Sequence, residues 1–235
     1  MVGKMSELQM ANAFETLLKS KEGIKGFPSF NSTFREVSCQ QGIADFIAIT
    51  GKNIQELSNN FFESNTVSLN SYSLIISLLK SRSPRTEDFL VSSSGLTRNT
   101  VRKVLKELEE NETIYKNQKG TIILSPNWGL PKLELWAFEL KLKDWRRALF
   151  QTLQYKAFAN RVVIVVPEDK ENTINKNIDV FRNLQVGVMV FNMANLSYKI
   201  MQKPRRINPS SKRHSLFALG KIASELRNEL DSFVD

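Results

Sequence analysis

Apolar and polar positions alternate along this chain with two periods, and the switches between them mark its elements. Leu8, Ala11, Phe14, Leu17 and Leu18 recur at helical spacing and predict a first helix from Ser6 to about Lys19. Ser6 and Gln9 have the spacing of a capping box at its start. Gly23, Gly26 and Pro28 punctuate a loop over 21–31. Period-2 alternation then predicts strands at Thr33–Ser38 and Ile43–Thr50, joined by a short turn. In the second strand Ile43, Asp45, Ile47 and Ile49 share one face, and Ala44, Phe46 and Ala48 the other.

The strand pattern returns at Trp136–Leu142, with Ala137, Glu139 and Lys141 on one face and Phe138, Leu140 and Leu142 on the other. Asp144 to Asn160 has helical period. Asp144 is its cap, and Arg147, Gln151, Gln154 and Phe158 form one stripe with Tyr155 beside it. Arg161–Val166 is apolar enough to be a strand buried on both faces, ending at Pro167. A helix to about Leu184, a strand at Val186–Phe191 and an edge strand at Tyr198–Ile200 follow. The segment 199–213 carries Lys199, Lys203, Arg205, Arg206, Lys212 and Arg213 without an acidic residue, and predicts either a phosphate-contacting strap or a mobile surface loop. Ser215–Phe233 closes the chain as a helix.

Between Gly51 and Lys132 the chain is too long for a plain loop, so a structured insertion is expected. Helices are predicted at Asn70–Lys80, Pro84–Val91 and, capped by Thr97, Thr97–Asn111; a hairpin follows at Ile114–Tyr115 and Thr121–Leu124. The fold class is therefore α/β with an inserted domain: 1–62 and 131–235 form one domain and 63–130 the insertion.

Composition narrows the chemistry. The chain has 235 residues, 41% of them hydrophobic, enough for a packed core. A net charge of +9 and a pI near 9.6 favour a polyanionic partner, nucleic acid before membrane. Cys39 is the single cysteine and His214 the single histidine, so a disulfide, a cysteine-held metal centre and Ser-His-Asp catalysis lack their residues. No signal-like core opens the chain and no apolar run approaches spanning length, so a soluble, cytoplasmic protein is expected.

Two features of the strands call for a task. Glu139 and Lys141 put opposite charges two residues apart in a buried strand, and Asp45 is a lone carboxylate in an apolar one. Their bland explanation is a buried ion pair and a structural aspartate. An E-x-K pair on a strand followed by a helix bearing Q-x-x-x-Y resembles the PD-(D/E)xK nuclease superfamily, through Glu139, Lys141, Gln151 and Tyr155. The resemblance implies a restriction-endonuclease-like αβββαβ core. It makes Asp45 the motif aspartate, although Ala44 stands where the motif has proline. Glu15 would be the first-helix glutamate, if it is not simply a residue flanking the core. Asp45, Glu139 and Glu15 would then hold Mg2+ or Mn2+, Lys141 would act on the attacking water or the phosphate, and Gln151 and Tyr155 would support the site. Lys143 and Arg147 would hold substrate phosphates.

The run from Gly95 to Leu124 resembles the turn, recognition helix and wing of a winged helix-turn-helix domain. That resemblance implies DNA contacts by Arg98, Asn99, Arg102, Lys103 and Lys106 on the helix and by Lys116 and Lys119 on the wing. A protein-binding winged helix with a solvated charged face remains the alternative. With Arg205 and Arg206 on the strap, the expectation is a magnesium-dependent endonuclease of double-stranded DNA, of restriction or mobile-element type, dimeric if both strands are cut. A DNA-binding regulator on an inactive nuclease fold and a structure-specific resolvase are the alternatives.

Overall fold

The computed structural model describes residues 6–51, 66–126, 128–129 and 132–231. Two compact units emerge, each discontinuous in sequence: Met1–Ile54 with Lys132–Ser211, and Gln55–Pro131 with Lys212–Asp235.

The first unit is an α/β structure around a mixed six-stranded sheet. Helix α1 (Glu7–Leu18) precedes strands β1 (Ser32–Cys39) and β2 (Gly42–Gly51). Later in the chain come β5 (Leu133–Leu140), helix α5 (Trp145–Tyr155) and β6 (Arg161–Pro167). A 3-10 turn at Glu168–Lys170 leads into short helices α6 (Glu171–Lys176) and α7 (Ile178–Asn183), then β7 (Gly187–Phe191) and β8 (Tyr198–Gln202). The strand order is β1-β2-β5-β6-β7-β8. The pairs β5/β6 and β6/β7 are parallel, with helices in their crossovers, and the other pairs are antiparallel.

Local chemistry explains these boundaries. Ser6 and Gln9 form the expected capping box. Asp144 caps α5 by accepting from the Arg147 N–H. Helix α1 lies against one sheet face, its Phe14 ring 5.4 Å from Phe138 and 5.5 Å from Phe46. Leu8, expected in that stripe, is 61% exposed, and Met10 is buried instead. On α5 the buried residues are Trp145, Ala148, Thr152 and Tyr155, while Arg147 and Gln154 of the expected stripe are exposed. The helix ends at Tyr155, short of Asn160, because Asn160 joins the sheet. Its side chain accepts from the Leu135 N–H, and its own N–H donates to the Leu135 carbonyl.

The basic segment after β8 has no regular structure over 203–209, yet it is tied down. The Ile207 N–H donates to the Asn160 carbonyl, the Ser210 N–H to that of Lys156, and the Arg161 guanidinium to that of Pro204. Pro204 lies so close to Gly187 that a Cβ there would meet it at 2.8 Å.

The second unit holds α2 (Thr66–Leu78), α3 (Glu87–Ser94), α4 (Arg98–Glu110) and the hairpin β3 (Ile114–Lys116) and β4 (Ile122–Leu124). Thr86 and Thr97 cap α3 and α4, and Gly95 (φ 67°) ends α3 in the left-handed conformation. Helix α3 begins later than expected because Arg85 is extended, exchanging backbone hydrogen bonds with Ile122. The closing helix α8 (Lys212–Asp231) falls in this unit and packs on α2, whereas the sequence grouped it with the sheet. The Lys212 ammonium donates to the Ile76 and Leu79 carbonyls at the end of α2, where the Ile76 carbonyl also accepts from the Leu79 N–H. Residues 232–233 of the expected helix lie outside the described residues.

Candidate functional site

The site of interest lies where β2 and β5 part. Their last paired residues at this end are Phe46 and Phe138. The next β5 N–H facing β2, that of Leu140, donates to Asp45 Oδ2 at 2.7 Å. A side chain thus takes the role of a ladder carbonyl and brings the residue 45 carboxylate beside Glu139. On the β1 side the pairing runs from Arg35↔Phe46 to Val37↔Ala44 and skips Glu36, whose φ of 53° is unusual for a non-glycine residue. Asp45 therefore sits at an irregularity on both of its neighbours.

Glu139 is 2% exposed. Its Oε2 lies 2.7 Å from the Tyr155 hydroxyl, which also lies 2.6 Å from the Ile43 carbonyl oxygen. A phenol has one proton and a carbonyl can only accept. Both contacts are fully satisfied when protonated Glu139 donates to the Tyr155 oxygen and the Tyr155 O–H donates to Ile43. Burial, and then the Asp45 carboxylate, push the Glu139 pKa up to about 7. Burial also raises Asp45, against the Leu140 hydrogen bond. The Tyr155 hydroxyl is raised by burial and by its bond to Glu139.

Lys141 follows the last residue of β5; its N–H donates to the Val165 carbonyl, and its side chain is largely buried. Its ammonium lies 3.4 Å from Glu7 Oε1, in the first turn of α1. Glu7 also contributes to raising both Asp45 and Glu139. The α1 carboxylate that approaches this group is therefore Glu7. Glu15 is instead engaged by Lys19 at 2.7 Å and Arg35 at 3.4 Å, and the Lys19 bond, with Arg35, holds its pKa below the usual range. Hydropathy could not distinguish the two, since Glu7 precedes the apolar stripe and nothing local ties it to Lys141. On α5 one turn before Tyr155, the Gln151 Oε1 is buried and has no hydrogen-bond partner among the described residues.

Asp45 and Glu139 supply hard carboxylate oxygens, which suit Mg2+ or Mn2+ rather than Zn2+. No group of three or more His, Cys, Asp or Glu side chains arranged to hold a metal occurs among the described residues. A divalent ion here would rest on two carboxylates and complete its coordination with water.

The basic candidates divide into two sets. On α4, Arg98 is paired with Glu87 at 2.9 Å and Asp88 at 2.6 Å, and Arg102 with Glu87 at 2.9 Å. Lys106 meets Glu110 at 3.7 Å, and Lys116 of the hairpin meets Glu109 at 2.7 Å. Asn99, Lys103 and Lys119 are exposed. In the first unit Lys143, Arg147 and Arg205 are exposed, while Arg206 pairs with Glu134.

Comparison with family models, with curated proteins and with solved structures found no match. Among the described residues no helix is long and apolar enough to cross a membrane.

Proposed function

We infer that the chain is a divalent-metal-dependent phosphodiesterase that cuts DNA, with Asp45, Glu139 and Lys141 as its working residues. The observation that carries this reading is the Leu140 N–H bond to Asp45, which joins two strands 95 positions apart in sequence at Glu139. The succession α1, β1, β2, β5, α5, β6 supports it, being the αβββαβ order of the restriction-endonuclease-like core.

Asp45 and Glu139 would hold Mg2+ or Mn2+. When bound, such an ion lowers the pKa of a coordinated water and neutralises charge on a phosphate. To serve as a ligand Glu139 would have to give up its proton. Tyr155 would then donate to the carboxylate and keep Oε2 in one orientation. The Lys141 ammonium offsets charge developing on the phosphate, and Glu7 fixes its direction. Lys143, Arg147 and Arg205 offer cations to the flanking phosphates.

The test is cleavage of supercoiled and linear DNA with Mg2+ by the wild type, Asp45→Ala and Lys141→Ala. Wild-type cleavage reduced on the order of 100-fold or more in each variant is expected, as for loss of one charged transition-state contact. Binding without cleavage by the wild type would overturn the enzyme in favour of a regulator. Strong preference for branched over linear duplex would make it a resolvase.

A further inference from the structure

The positive charge of the chain is unevenly shared. The first unit contains 20 Lys and Arg against 12 Asp and Glu, whereas the second contains 13 against 12. The excess of +9 is thus almost wholly carried by the sheet-containing unit. On α4 and the hairpin, four of the six cations, Arg98, Arg102, Lys106 and Lys116, are paired with Glu87, Asp88, Glu109 or Glu110, and Lys103 and Lys119 stand exposed beside them. A polyanion approaching that face meets carboxylates as well as cations, and would have to displace Glu87 from both arginines.

The head of α5 has the opposite character. Lys143 precedes the Asp144 cap, and Arg146 and Arg147 occupy the first turn. All three are exposed, and none has a carboxylate ion pair among the described residues. Cations are disfavoured at a helix N-terminus, where the dipole is already positive. The Arg146 guanidinium lies over the Trp145 ring at 4.7 Å, which orients it while leaving its N–H edges open. One turn further on, Phe150 is 64% exposed. Unpaired cations beside an exposed aromatic suit phosphates and bases together, as nucleic acid offers and a lipid headgroup does not.

We propose that Lys143, Arg146 and Arg147 at the head of α5 form the principal nucleic-acid grip of this chain, and that α4, despite its likeness to a recognition helix, adds little to affinity. This rests on the reading of the chain as a DNA-acting enzyme. These three residues follow Glu139 and Lys141 directly, so the strand that carries the chemistry runs straight into the surface that holds the phosphates.

The experiment is a titration of fluorescently labelled duplex and single-stranded DNA with the full chain in EDTA, at several salt concentrations. The wild type is compared with a Lys143→Gln, Arg146→Gln, Arg147→Gln variant and an Arg98→Gln, Arg102→Gln, Lys103→Gln variant. Circular dichroism melts check that both are folded. Loss of three phosphate contacts should weaken binding on the order of 100-fold near 0.1 M salt and flatten the log–log salt slope by about 3. The α4 variant should bind within about threefold of the wild type. A large loss in the α4 variant, or wild-type binding by the α5 variant, overturns the proposal while leaving the enzyme reading intact. Absence of salt-dependent binding by the wild type overturns both. Retained grip on α5 without cleavage in Mg2+ overturns the enzyme reading alone.

Discussion

Around the Tyr155 hydroxyl three groups share two protons or one, and pH decides which. Folded Glu139 titrates near 7, against about 4.5 for the free side chain. Its folded pKa is raised, so its contribution to stability is complete below about pH 4.5 and is lost as pH rises through 7. The size is on the order of 3 kcal/mol for this buried group. Urea unfolding of the wild type and Glu139→Gln between pH 5 and 8 should show the wild type losing stability relative to the variant; parallel curves would refute the assignment. Tyr155→Phe removes the donor to Ile43 and the partner of Glu139, which should cost about 1–3 kcal/mol. When Glu139 is ionised the Tyr155 O–H turns to donate to it and stabilises that form, so the midpoint of its titration should move upward in the variant. A downward move, followed by NMR of the carboxyl carbon, would mean that the hydroxyl points elsewhere.

Elements with local signals were legible from the sequence. The Ser6, Thr97 and Asp144 caps were readable because a side chain bonding an N–H three positions ahead needs nothing from the rest of the molecule. Strand alternation grouped Asp45 with Ile47 and Glu139 with Ala137, and the pairing of Ile47 with Ala137, which puts the two acids on one sheet face, was implied only by the resemblance. The buried side of α5 was not legible, since the Thr152 hydroxyl donates back to the Ala148 carbonyl and so hides a polar residue in the core. Glu7 and Glu36 were missed because their places depend on where α1 lands and where β1 departs from its ladder. Asn160 is likewise a tertiary feature: it stands in for a strand residue opposite Leu135 and also meets Ile207. Asn160→Ala should cost about 1–3 kcal/mol by stranding the Leu135 N–H, measurable by urea unfolding. Gly187→Ala should also destabilise by about 1–3 kcal/mol, since its Cβ would strike Pro204 at 2.8 Å, and limited proteolysis should then cut within 203–211. Wild-type resistance in that variant would show that the segment is held without Pro204.

For the whole molecule, the division of charge and the division of chain do not follow the same lines. Net charge favours the unit with the sheet, while the polypeptide passes between units after residue 54, after 131 and after 211. The second unit is closed by α8, whose Leu216, Leu219 and Ile222 are buried. At Gly220 a Cβ would meet Leu69 of α2 at 2.3 Å, a measure of how near the two helices run. A fragment of 55–131 would leave the apolar side of α2 uncovered and should aggregate or fail to give a cooperative melt. The same fragment joined through a flexible linker to 212–231 should melt cooperatively.

The late return of α8 has a consequence for how this protein is made. A chain leaving the ribosome presents β1 and β2 long before β5 exists to pair with them, and α2 long before the helix that covers it. Neither unit can close until its late segment has been made, 132–211 in the first and 212–231 in the second. Both nascent units therefore expose apolar strand edges and helix faces until those segments arrive.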